Sequence, residues 1–428
     1  MSGSRFFQSF SQRGSIVGTR RADDEPQRLA ALGDGWAAAL EHDRIPFISY
    51  PYEWSFSMLK DAALLHLDLI LAALAEGQIL KDATAYNIQF VGARPVFIDV
   101  ASFEKLPAGE PWHGYRQFCQ LFLYPLLLQA YKDAAFQPWL RGSLEGIDPR
   151  DMNALMSARD LLRAGVLAHV KLQAGAQERF GSTSRNVRAD LKSAGFSAGL
   201  IKANVSRLRK LIAGLEWKRT SSTWAGYADA NSYAAEDADR KARFVRTAAS
   251  ASRRGLVWDL GGNTGRFSRI AAEHADHVVT VDADPLAIER LYRELRKDGP
   301  ANILPIIGNV ADPSPGLGWR GLERLPLARR GTPDLILALA LIHHVVITAN
   351  VPLAEFVDWL AGLGGELVIE FVTKQDEMVK TLLRNKDDQY ADYDQAYFES
   401  CLEKHYRIGA RETIQSGSRT LYHAIPRP

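Results

Sequence analysis

Cysteine is nearly missing from this 428-residue chain, which has only Cys119 and Cys401. Far apart and outside any CxxC spacing, the two exclude a disulfide framework and leave no cysteine-held zinc site, so a reducing, cytoplasmic setting is expected. No metal is called for by the pattern. Long apolar runs are missing as well. The most apolar stretch, FCQLFLYPLLLQAY from Phe118 to Tyr131, is too short to cross a bilayer and contains Pro125, which predicts a buried helix and no transmembrane segment. Arg5, Arg13, Arg20 and Arg21 are followed by no apolar segment of the secretory kind. An excess of one charge is lacking too. With 52 Lys and Arg against 50 Asp and Glu the net charge is +2, and the basic run from Arg185 to Lys218 reads as a solvated helical face, so there is no strong nucleic-acid signal. What the chain does have is 46% hydrophobic residues, ample core for two or three domains.

The most informative stretch is VWDLGGNTGRFSRIAAEHADHVVTVDAD, from Val257 to Asp284. An apolar strand, a Gly-Gly-Asn-Thr-Gly turn, a helical stretch and a β-branched strand follow one another, the pattern of a βαβ nucleoside site. Gly261, Gly262 and Gly265 let the backbone turn tightly and let a ligand come close. Asp282 ends the second strand about 20 residues beyond the turn, where such a site places a carboxylate for ribose hydroxyls.

The acid two positions before the first glycine, Asp259, distinguishes this turn from a dinucleotide fingerprint. It resembles the D-x-G-x-G-x-G motif of class I S-adenosylmethionine (SAM) methyltransferases, with Asn263 at the usual middle glycine. The resemblance implies SAM as cofactor, held by Asp259, Gly261, Gly262, Asn263 and Gly265 at its methionine end and by Asp282 and Ala283 at its ribose. It also implies a Rossmann-like, seven-stranded α/β sheet ending in an antiparallel hairpin. The later pattern agrees: NILPIIGN, PDLILALAL and ELVIEFV read as strands, and YRIGARETI and RTLYHAIP as the hairpin, spanning QSGS.

Ligands of open α/β sheets bind beyond the carboxyl ends of the strands. Asn309 and Val310 follow the third strand, where the family contacts adenine, and Leu339 ends the fourth. His343 and His344 are candidate bases for a hydroxyl acceptor, because imidazole titrates near neutral pH, and Glu370 ends the fifth strand. Packing is the alternative for both histidines. Trp224, Tyr227 and Tyr233 precede the glycine strand in a polar, aromatic segment that could fold over the cofactor and line the substrate mouth. Lys241 or Arg246 could meet the cofactor carboxylate, and Trp319 could sit in a lid.

Earlier in the chain, MLKDAALLHLDLILAALAEG is expected as a helix capped by Ser57 and ended by Gly77, with Leu59, Ala62, Ala63, Leu67, Ile70 and Leu74 on its core face. After it comes ILKDATAYNIQFVGARPVFIDVASFE. Asp82, Asn87 and Asp99 there resemble the D-x-x-x-x-N loop and metal aspartate of the protein-kinase and aminoglycoside-phosphotransferase fold, which implies a catalytic base and two magnesium ligands. Leu80-Lys81 stand for the usual His-Arg, Val100-Ala101 for Phe-Gly, and neither a glycine-rich phosphate loop nor a V-A-x-K strand precedes them. Capping of turns is the alternative role.

Further runs, among them ALALIHHVVITANVPL and IEFVTKQDEMVKTLL, resemble a bacterial methyltransferase group of NoeA type. The expected organisation is a lead-in segment over 1–44, a mostly helical, kinase-C-lobe-like domain that is not an active kinase over 45–217, a linker or lid over 218–240 and a SAM-dependent methyltransferase domain over 241–428. The expected function is methyl transfer to a small-molecule, sugar or glycan-type acceptor, with the first domain in acceptor binding or regulation. A bifunctional kinase-methyltransferase and a non-catalytic SAM-binding scaffold are the competing readings. The fourth strand has no Asn-Pro-Pro-aromatic ending and neither cysteine lies in a Pro-Cys motif, which disfavours the DNA-methylating classes.

Overall fold

A computed structural model describes residues 3–22, 39–175, 197–222, 235–384, 386 and 388–428. The chain divides into two compact units, one comprising Met1–Phe90 and Arg94–Lys218, the other Val91–Ala93 and Arg219–Pro428.

The first unit is built on helix α1, Phe56–Leu74. Its six predicted core residues are all buried, and so are Met58, His66, Leu69 and Ala73, because a second helix, α2 (Ala198–Ala213), covers a further side. The α2 stripe Ile201, Val205, Leu208 and Ile212 is buried, spaced to lie along one helical face. Arg209 pairs with Asp68 of α1, and the Lys60 ammonium donates to the Leu215 carbonyl at 2.8 Å. The helix begins two residues earlier than a Ser57 cap would place it, with Ser55 in the extended cap position, and Gly77 at φ +72° reverses the chain. Strand Gln78–Leu80 then pairs antiparallel with Phe103–Lys105. Strands Ile88–Val91 and Arg94–Phe97 form a separate two-stranded sheet.

The apolar stretch around Phe118 is helical and buried as expected, with one irregularity. A π-helical turn over Cys119–Leu123 joins helix Tyr115–Phe118 to helix Tyr124–Lys132. Pro125 has no N–H to give to the Leu121 carbonyl, so the turn widens and the Tyr124 N–H reaches Cys119 instead. The segment before Arg44, expected as a lead-in, contributes to this unit's core. Helix Arg5–Gln12 buries Phe6 and Phe7, and the Phe6 ring lies 5.2 Å from that of Phe103.

The second unit carries a seven-stranded sheet. Its strands are β1 (Arg254–Leu260), β2 (Ala275–Asp282), β3 (Ile303–Ile307), β4 (Leu335–Ala338), β5 (Glu366–Val372), β6 (Tyr406–Thr413) and β7 (Arg419–Pro426). They lie in the order β6-β7-β5-β4-β1-β2-β3. The five strands from β5 to β3 are parallel, and β7 runs antiparallel between β5 and β6. Val257, Trp258, Val278, Val279, Leu335 to Ala338 and Leu367 to Ile369 are buried, the near-continuous apolar pattern of strands covered on both faces. Helix α3 (Ala235–Ser250) precedes the sheet, α4 (Arg266–Ala272) and α5 (Pro285–Asp298) join the first three strands, and α6 (Leu353–Gly362) joins β4 to β5. The sequence pattern gives no signal for helix α7, Gln395–His405, whose apolar residues are too few for a clear stripe. No helix among the described residues is long and apolar enough to cross a membrane.

Candidate active site

Strand order reverses between β1 and β4, which lie side by side while β2 and β3 extend one way and β5 the other. A crevice at such a switch point, beyond the carboxyl ends of the strands, is where open α/β sheets take ligands. The glycine turn leaves β1 at this place. Gly261, Asn263 and Gly265 have φ of +76°, +48° and +78°, a region glycine enters freely and Asn tolerates. The Gly261 N–H donates to the Val281 carbonyl at 2.8 Å, tying the turn to β2. Gly262 is glycine for want of space: a Cβ there would stand 2.4 Å from Thr280 Cγ2 and 2.9 Å from Asp259 Oδ2.

Asp259 is 1% exposed. Its Oδ2 accepts the Ser268 hydroxyl at 2.5 Å, and Ser268 Oγ accepts from Thr280 at 2.8 Å. Burial pushes this carboxyl up to about 6, and the nearby Asp282 charge adds to the rise. Asp259 therefore lies beneath the turn and holds its floor. Asp282, half-buried at the end of β2, faces the turn. Its Oδ2 accepts the Asn263 N–H at 2.9 Å and its Oδ1 the Asp284 N–H at 2.8 Å. Burial raises this carboxyl as well. Each oxygen keeps lone-pair capacity for a ligand hydroxyl after these bonds, so the carboxylate is both fixed and available. Ala283 beside it is exposed.

Other predicted residues are placed unevenly. Asn309 is exposed, and its side-chain oxygen accepts the Ala311 N–H at 3.0 Å; Val310 is half-buried. Leu339 is buried. Leu341 lies against the turn, 3.1 Å from where a Gly261 Cβ would be, so the ends of β1 and β4 meet. Trp319 is 77% exposed. Trp224, Tyr227 and Tyr233 lie outside the described residues.

His343 is fully buried, and neither ring nitrogen has a hydrogen-bond partner among the described residues. Its ring centroid lies 4.1 Å from that of His344. Burial first, then His344 and the Lys241 charge, hold His343 well below the usual imidazole range, and burial lowers half-buried His344 to about 4. Both are neutral at pH 7.

Glu370 and Lys241 meet each other: Lys241 is 4% exposed and its ammonium lies 2.6 Å from Glu370 Oε1. Glu370 is itself fully buried; its Oε1 is 3.5 Å from Arg419 Nη1 and its Oε2 accepts the Ala340 N–H at 2.9 Å. Arg419 is further bonded to both oxygens of Asp376, at 2.7 and 3.0 Å. A buried charge is tolerable only when paired, and these four compensate one another. The Glu370 bond fixes Ala340 at φ +50°, which turns the chain sharply at the end of β4. Arg246 meets Glu273 at 3.7 Å on the surface. Residues 241, 370, 376 and 419 come from separate elements, and no local sequence signal marks their meeting.

In the first unit, the Asn87 amide donates to Asp99 Oδ2 at 3.0 Å. Asp99 immediately precedes the 3₁₀ turn Val100–Ser102, and the Asp82 N–H meets the Ser102 hydroxyl at 3.3 Å. Among the described residues no group of three or more His, Cys, Asp or Glu is placed to hold a metal.

The strand order β6-β7-β5-β4-β1-β2-β3, with an antiparallel seventh strand inserted beside the fifth and a glycine turn and acid at the switch point, defines the second unit as a class I methyltransferase fold. Among solved structures, similar chains include the N-methyltransferase NodS of Bradyrhizobium japonicum WM9 in complex with S-adenosyl-L-homocysteine, at 14% identity over 47% of this chain and 91% of that one, with a TM-score of 0.34. The PH0226 protein of Pyrococcus horikoshii OT3 is 16% identical over 48% of this chain and 97% of that one, also with a TM-score of 0.34. No protein-family model matches the chain. The chain belongs to the family of the nodulation protein NoeA: it is 37% identical to that protein of Rhizobium meliloti (strain 1021) over 403 residues, 94% of this chain and 84% of the relative.

Proposed function

We propose that the protein is a SAM-dependent methyltransferase acting on a small-molecule, sugar or glycan-type acceptor. The observation that carries this reading is Asp282, a carboxylate pinned by the Asn263 and Asp284 N–H groups at the switch point. A fixed acceptor pair of this kind suits the two hydroxyls of a ribose. When bound, SAM supplies an activated methyl group on a sulfonium. The chain's own part is alignment: the turn and Asp282 orient the donor, and the β4 end held by Glu370 shapes the acceptor side.

A hydroxyl acceptor must also lose a proton. His344, half-buried and neutral, is the better placed of the two histidines to accept it, since His343 is sealed from solvent. The first unit serves acceptor binding. Its Asn87 amide is spent on Asp99, which favours a structural role for the kinase-like triad over phosphoryl chemistry. The test is transfer of label from methyl-tritiated SAM to pooled cell-extract glycans and metabolites. Labelled product that fails to form with Asp282→Ala supports the reading, whereas donor binding without turnover on every pool makes the protein a SAM-binding scaffold.

A further inference from the structure

The first unit contains an open groove of about 910 Å³, within the range of small-molecule sites. It lies where the turn after helix Tyr115–Phe118 meets helix Gln137–Gly142 and the start of helix Pro149–Leu155. Gly146 allows the approach: at φ +80°, a Cβ there would stand 2.3 Å from the Gln120 carbonyl oxygen, which accepts the Ile147 N–H at 3.1 Å.

Two amides of the groove are fixed before any ligand arrives. The Ala83 N–H donates to Gln117 Oε1 at 2.7 Å, so the Gln117 NH₂ end is directed away as a donor pair. Gln120 is 6% exposed and its Oε1 accepts the Arg116 Nε–H at 3.1 Å, which orients its amide in the same sense. Glu145 and Asp151 are exposed and make no ion pair among the described residues. Trp139 is 36% exposed, on a helix anchored by buried Leu140 and by the Gln137 amide, which donates to the Trp54 carbonyl at 2.9 Å.

We infer that this groove binds a neutral or amino carbohydrate. A sugar hydroxyl donates and accepts at once, and the lining supplies both amide donors and carboxylate acceptors. The flat face of Trp139 suits the apolar face of a pyranose ring, and a tryptophan with a polar edge is well used at a half-wet surface. Phosphate-bearing ligands are disfavoured, because the carboxylates of Glu145 and Asp151 stand in the groove while the Arg116 guanidinium already faces Asp148 at 3.8 Å. This deepens the acceptor-binding part of the proposed function and rests on that part alone.

The test applies the full chain to an array of neutral and amino oligosaccharides, with Trp139→Ala and Asp151→Asn alongside. Both positions are outside the core, and unchanged melting temperatures verify folding. Retention on at least one sugar class, weakened about tenfold or more in Trp139→Ala and also reduced in Asp151→Asn, is expected. No retention of the wild-type chain on any glycan, or equal retention by the variants, overturns the assignment. Retention that follows lysine-rich peptides in place of sugars also overturns it. SAM binding measured on the same preparations reports separately on the methyl-donor site.

Discussion

Asp259 and Asp282 stand at the ends of neighbouring strands, and burial separates their roles. Asp259 is 1% exposed and bonded to Ser268, and its carboxyl is raised to about 6 from an ordinary value of 3.8. Between those two values the folded state holds a proton that the unfolded state releases, so this group's contribution to stability is greatest below pH 4 and is lost as pH rises through 6. The loss is on the order of 3 kcal/mol. Asp259→Asn keeps an acceptor for Ser268 without the charge, so the wild-type chain should lose stability relative to this variant between pH 4 and 6.5, read from denaturant midpoints. Equal midpoints at both pH values would contradict the burial argument.

His343 invites the opposite experiment. Both its nitrogens are buried without a partner among the described residues, and replacing an unsatisfied polar group by an apolar one of similar shape is neutral or stabilising. His343→Leu should therefore melt at or above the wild-type temperature; a fall corresponding to more than about 1 kcal/mol would mean that the imidazole has a stabilising partner. In the sequence alone, His343 and His344 were equivalent, because burial is decided by how the turn after β4 packs and not by the dipeptide.

At the scale of elements, the glycine turn was readable because its signal is local: a strand period gives way to a helical one across a few small residues. The structure adds why Gly262 cannot change. Gly262→Ala would press on Thr280 and Asp259 and should cost about 1–3 kcal/mol, measurable by thermal unfolding. The ends of β4 and β5 were less readable. Glu370 looked like an acceptor-side residue from its position, yet its charge is consumed by Lys241 and Arg419, which lie 129 residues before it and 49 after it in the chain. Glu370→Gln removes the buried carboxylate charge that Lys241 and Arg419 share and should destabilise the second unit by about 3–5 kcal/mol. The double variant Glu370→Gln/Lys241→Met should recover a large part of that loss, and a double variant as unstable as the single would show that the pair is not the cause.

At the scale of the whole molecule, the seven-stranded sheet with its terminal hairpin was legible because strand spacing, β-branched runs and the QSGS turn all point the same way. The contribution of Phe6 and Phe7 to a core was not, since a helix of 8 residues has no periodicity long enough to read. The triad Asp82, Asn87 and Asp99 was visible as a motif, but only the structure shows Asn87 bonded to Asp99.

The most direct measurement is calorimetric titration of the full chain with SAM, repeated for Asp282→Ala and, separately, with ATP and magnesium. Saturable SAM binding, weakened at least about tenfold by the substitution, and no heat from ATP are expected. Absence of SAM binding in the wild-type chain, or undiminished binding in Asp282→Ala, would contradict it.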